Sequence, residues 1–158
     1  MMKVGIGYDV HKLKKGAELY IGGIKIPSEF GSEGHSDGDA LIHAVVDALL
    51  GAAGLGDIGT YFPSDSDKWK GAPSHLFLTD ANNRIENGGF SINNIDSTII
   101  LEKPRLTQHI PDIIQSLSKI LNLDSSKISV KATTTDGLGF IGDELGWGVL
   151  AIASIGNQ

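Results

Sequence analysis

The chain has 158 residues, with 13 Lys and Arg against 19 Asp and Glu, a formal charge of −6; 41% of residues are apolar and 20% charged. This is ordinary globular composition, long enough to bury a core, and it argues against disorder and against a basic nucleic-acid-binding stripe. Without cysteine there are no disulfides, thiolate nucleophiles or iron–sulfur clusters, and no apolar run approaches the ~20 residues of a membrane helix.

In chain order, residues 3–10 (KVGIGYDV) read as a strand. Residues 18–27 (ELYIGGIKIP) read as a hairpin turning at Gly22-Gly23, a pair that tolerates positive φ. A polar loop follows over 28–37, then an Ala- and Leu-rich helix over about 38–54 that stops at Gly54. Residues 54–73 read as one long loop, a length that usually carries function. Helices are expected over 74–87, with Ser74 as N-cap, and over 108–122, with Pro111 in the first turn. Strands are expected over 90–102, 128–135 and 146–155. The order βββααβαββ is not strict β–α alternation. It predicts a single α+β domain over 1–158, a mixed sheet with helices packed on one face.

Five constellations stand out. Asp9 and His11 are two apart on an extended segment, so they point the same way, with Val10 expected to turn to the core. His43 interrupts an apolar helix and shares a face with Asp39 and Asp47 at i, i+4 and i+8. Asp9, His11 and His43 together make a three-ligand set with an open position, the pattern of a catalytic zinc site, with Asp39 or Asp47 expected to orient the His43 ring. His35 and Ser36 precede a helix N-terminus, where donors suit a phosphate, although Ser36 or Asp37 is also the expected cap. Thr133, Thr134, Thr135 and Asp136 at a strand end offer hydroxyls and a carboxylate for phosphate and a divalent ion. Lys103 and Arg105 flank Pro104. His75 and His109 read as structural or surface residues.

The segments GYDVHKL (7–13), GHSDGDALIHAVVDALLGAAGLGDIGTYFP (34–63) and KATTTDGLGFIG (131–142) closely resemble the 2-C-methyl-D-erythritol 2,4-cyclodiphosphate synthase family, in order and over nearly the whole chain. The resemblance implies a homotrimer with active sites between subunits. It implies a reaction that converts 4-diphosphocytidyl-2-C-methyl-D-erythritol 2-phosphate to the 2,4-cyclodiphosphate with release of CMP, in non-mevalonate isoprenoid synthesis. It makes Asp9, His11 and His43 ligands of Zn²⁺ or another divalent transition metal, and His35 and Thr134 stabilisers of the reacting phosphates. Ser36, Asp57, Ile58 and Gly59 would hold the methylerythritol end. Pro104, Arg105, Leu106, Ala132, Thr133 and Thr134 would form the cytidine pocket, with Phe62, Asp65, Thr135 and Phe140 as further substrate contacts. Asp136 stands where the family has a glutamate for Mg²⁺ or Mn²⁺. Ser64 replaces the family's usual Asp after Phe-Pro. Asp143 and Leu145 replace an Arg and a Glu, which implies no isoprenoid diphosphate on the threefold axis. The expected setting is a bacterial cytoplasm, or a plastid-type organelle with the presequence removed, with no nucleic-acid or membrane partner.

Overall fold

Alternation along the first strand decides what packs where. In the computed structural model, which describes residues 1–158, strand β1 (Met2–Lys15) buries Gly5 and Gly7 on one face and exposes Val4, Ile6 and Tyr8 on the other. Asp9 and His11 continue the inward series. Val10 therefore lies on the face away from the core, the reverse of the expectation above. β1 runs beyond 3–10 because it pairs antiparallel with β7 (Gly146–Asn157) along most of its length and then with β4 (Phe30–Glu33), a strand inside the segment expected to be loop.

The sheet order is β4-β1-β7-β5-β6. β5 (Phe90–Ile100) lies antiparallel to β7 and parallel to β6 (Ile128–Thr133), so the sheet is mixed, as expected. β2 (Leu19–Ile21) and β3 (Ile24–Ile26) form the separate hairpin, with positive φ at both Gly22 and Gly23.

Helix α1 (Ala40–Ala53) lies directly on β1 and β7. It meets Trp147, Val149, Ala151 and Ala153 of β7, all buried. A Cβ at Gly5 would fall 2.0 Å from the Ala48 carbonyl oxygen, and one at Gly7 1.8 Å from that of Ala44. Only glycine lets the helix come this close, and this closeness brings His43 down to Asp9 and His11. Helices α3 (His75–Asn87) and α4 (Ile110–Leu121) pack on the same side. The long loop is partly folded, into α2 (Ile58–Tyr61) and a 3₁₀ turn at Asp67–Trp69, and α5 (Gly139–Gly142) precedes β7.

Asp39, not Ser36 or Asp37, caps α1. Its carboxylate accepts from Ile42 N at 3.0 Å and also from the hairpin amides of Gly22 at 3.0 Å and Gly23 at 2.7 Å. Burial pushes the Asp39 carboxyl upward, against three amides that favour the ionised form. One fully buried side chain thus joins the β2–β3 turn to the helix that carries His43.

Candidate metal centre

Asp9 and His11 project from one face of β1, and His43 comes from the α1 turn above them. Asp9 Oδ2 lies 2.8 Å from His11 Nε2 and 3.1 Å from His43 Nδ1, and the two ring nitrogens are 3.1 Å apart. A tetrahedral ion bound at about 2.0–2.1 Å sets its ligand atoms about 3.3 Å apart, so a triangle of this size and an N/N/O donor set fit zinc or a similar ion. Burial opposes ionisation of Asp9, but the two imidazoles beside it hold its carboxyl at about 2. Burial likewise works against the His11 cation, and Asp9 overcomes it, raising the His11 pKa.

Each imidazole is fixed from behind. His11 Nδ1 reaches the Glu33 carbonyl at 3.5 Å; a carbonyl only accepts, so Nε2 is left free toward Asp9. His43 Nε2 lies 2.8 Å from Ser74 Oγ and 3.2 Å from Ser36 Oγ. Neither Asp39 nor Asp47 touches the His43 ring. Asp39 is consumed by the cap and hairpin, and Asp47 accepts from Ile58 N at 2.8 Å, anchoring the start of α2. The i, i+4, i+8 stripe is real, but its carboxylates are bonded to backbone amides.

Asp9, His11 and His43 open into a cavity of about 300 Å³ that is also lined by His35, Ser36, Ile58, Gly59, Phe62, Ser64, Trp69 and Phe77. Phe62, Trp69 and Phe77 form an aromatic wall, with ring centroids 4.6–5.9 Å apart, and Phe77 also flanks His43. Sequence reasoning missed Trp69 and Phe77; Phe77 follows Ser74 by three residues, so one helical turn presents both to His43. His35 Nε2 donates to the Ser66 carbonyl at 2.8 Å, tying this rim to the long loop. Asp57 is occupied as the cap of α2, accepting from Thr60 N and Oγ1 at 2.9 Å each, and Asp65 lies exposed outside the lining. His75 and His109 do not line the cavity.

A separate cleft of about 210 Å³ is lined by Pro104, Arg105, Leu106, Ala132, Thr133 and Thr134, among others. Arg105 there is exposed and has no ion-pair partner, whereas Lys103 bonds Glu144 at 2.7 Å. Thr135 is turned inward, its amide and hydroxyl directed at Glu102 at 2.7 and 2.9 Å. Asp136, at φ 53, is exposed in the turn beyond it, and Phe140 is exposed on α5. Within one chain, the two clefts share no lining residue.

The YgbB family matches residues 2–156. A 2-C-methyl-D-erythritol 2,4-cyclodiphosphate synthase from Alkaliphilus oremlandii is 50% identical over 154 residues, covering 98% of both chains. Among solved structures, the CDP complex of IspF from Plasmodium falciparum superposes with a TM-score of 0.88 at 36% identity, covering 99% of this chain and 97% of that one. The bifunctional IspDF of Campylobacter jejuni gives a TM-score of 0.97 at 38% identity; all of this chain is covered, but it spans only 43% of that longer protein.

Proposed function

The chain belongs to the YgbB family of 2-C-methyl-D-erythritol 2,4-cyclodiphosphate synthases, and from that premise we propose that it closes the cyclic diphosphate of 4-diphosphocytidyl-2-C-methyl-D-erythritol 2-phosphate. One oxygen of the substrate's 2-phosphate forms a bond to the β-phosphorus. The bond from the β-phosphorus to the bridging oxygen breaks, and CMP leaves with that oxygen. Nucleophile and leaving group both belong to the substrate, so the protein has only to hold and neutralise them. The observation that carries this reading is the convergence of Asp9, His11 and His43 at the mouth of a cavity rimmed by His35 and Ser36.

Zinc or a similar ion at Asp9, His11 and His43, with Mg²⁺ or Mn²⁺ at Asp136, would supply charge neutralisation and Lewis-acid polarisation of the phosphates. The remaining work is the chain's own. His35, anchored through Nε2, keeps Nδ1 for a phosphate oxygen when protonated, and the Ser36 hydroxyl can donate beside it. Ile58 and Gly59 at the start of α2 and the ring of Phe62 give the methylerythritol carbons an apolar seat. Thr134 and the unpaired Arg105 serve the diphosphate and cytidine in the second cleft, where Pro104, Leu106, Ala132 and Thr133 offer walls for a nucleoside.

Three chains per molecule are what the family resemblance implies, and two clefts that share no lining residue within one chain accord with a neighbour completing each site. Support comes from the outer sheet face, where Val4 at 59%, Ile6 at 68% and Ile152 at 47% exposure present apolar side chains that a neighbouring chain would cover. Sedimentation equilibrium should return three chain masses; a single chain mass at micromolar concentration overturns the assembly. The chemistry is tested by a ³¹P NMR time course with substrate, Zn²⁺ and Mg²⁺. CMP and two coupled cyclic-diphosphate resonances are expected, and EDTA abolishes both. CMP with only linear phosphates would instead identify a hydrolase that uses water.

A further inference from the structure

We infer that Ser74, held by Asp37, is a positioning residue that sets the tautomer of His43 and so aims its Nδ1 at the metal. This rests on the reading that Asp9, His11 and His43 hold an ion. Ser74 stands at the N-cap position of α3, where a serine ordinarily bonds the helix amides, but it makes no such bond. Its backbone N–H instead donates to Asp37 Oδ2 at 2.8 Å, and its hydroxyl donates to Asp37 Oδ1. Asp37 also receives Asp39 N–H at 3.1 Å, so all three of its hydrogen-bond partners are donors.

The direction of the chain of bonds follows from proton count. A hydroxyl has one proton, and that of Ser74 is committed to a carboxylate that can only accept. The Ser74 oxygen is left as an acceptor, and the polar atom before it, at 2.8 Å, is His43 Nε2. That oxygen asks for the proton on His43 Nε2, against the Asp9 carboxylate, which asks for it on Nδ1 at 3.1 Å; the shorter, fully buried Ser74 contact prevails, and the lone pair falls on Nδ1, which also faces His11 Nε2 at 3.1 Å. Negative charge on Asp37, relayed through the hydroxyl, makes Nδ1 a better donor to a cation. Ser36 Oγ is also near Nε2, but it lies at 3.2 Å, is only half buried and accepts weakly from Gly38 N. Ser74 is fully buried, and its partners are fixed.

The test uses the full chain, wild type and Ser74→Ala and Ser74→Thr, with zinc alone as the probe. Affinity is read by competition with a chromophoric chelator, and the His43 tautomer by long-range ¹H–¹⁵N spectra of chelator-stripped protein at a pH where the ring is neutral. The wild type should show the Nε2–H pattern. Ser74→Ala should bind zinc about 10–100-fold more weakly and lose that pattern, while Ser74→Thr, which keeps the hydroxyl, recovers both. Unchanged zinc affinity in Ser74→Ala, or a wild-type ring protonated on Nδ1, overturns the inference. If Ser74→Ala fails to fold, the wild-type tautomer decides alone. A wild-type chain that takes up no zinc defeats the metal reading itself, a result distinct from zinc bound equally by all three proteins.

Discussion

Substituting alanine for His11 should abolish zinc binding and lower turnover by about a thousandfold or more, while the protein stays folded. The metal is asked for several kcal/mol of charge stabilisation between two anionic groups, and about 4 kcal/mol is already a factor of a thousand. His11 Nε2 supplies one corner of a triangle with edges of 2.8, 3.1 and 3.1 Å. Removing that corner leaves Asp9 and His43, two ligands that do not enclose an ion. His11 is the better choice than His43 for this measurement. The His43 ring is packed against Phe77 and hydrogen-bonded to Ser74, so its loss opens a buried gap and removes one of the two partners of the Ser74 hydroxyl. His11 sits at the cavity mouth, and its other nitrogen makes only a long contact with the Glu33 carbonyl. Zinc content by elemental analysis, turnover by ³¹P NMR and melting temperature should be measured together. A His11→Ala protein without metal that turns over like the wild type would sink the assignment of the centre.

How far the site was legible depended on how local its cause was. Asp9 and His11 could be paired because strand alternation is a two-residue rule, and their pairing on one face holds. Which face is the core depends on the partner strand and on α1. Val10 was accordingly assigned the wrong side, since Val is as much at home on the apolar sheet face that this protein leaves uncovered. His43 was marked by a helix too poor in Lys and Glu to be a solvated face. The partners of the acids beside it were not legible. Asp39 is bonded to amides 16 and 17 residues away in a hairpin turn, and Asp37 reaches 37 residues forward to Ser74. Ser74 at a helix start reads as a cap by every local rule, and only the fold shows its hydroxyl turned to His43. The two short helical turns inside residues 54–73 escaped because neither is long enough to show a helical period. The chain has 21 glycines, and nothing local in the sequence says that two of them set the distance between helix and sheet.

Gly7→Ala tests that distance. It should destabilise the fold by more than about 4 kcal/mol, against a total of about 5–15 kcal/mol for a domain of this kind. The new Cβ would sit 1.8 Å from the Ala44 carbonyl oxygen and 2.7 Å from its carbon, both backbone atoms of a helix that cannot turn aside as a side chain can. Relief requires lifting α1 off β1, which separates Ala44, Val45 and Ala48 from the sheet and carries His43 away from Asp9 and His11. Gly51→Ala, in the same helix, is the control. Nothing comes nearer than 4.0 Å to its added Cβ, and alanine is better by about 1 kcal/mol in a helix interior, so this variant should melt higher than the wild type. Chemical denaturation of the three proteins measures both effects. If Gly7→Ala unfolds at the wild-type midpoint, the close seating of α1 on β1 is wrong. If it folds with a lowered midpoint, its zinc affinity should fall with its stability, because the contact that seats the helix also assembles the metal site.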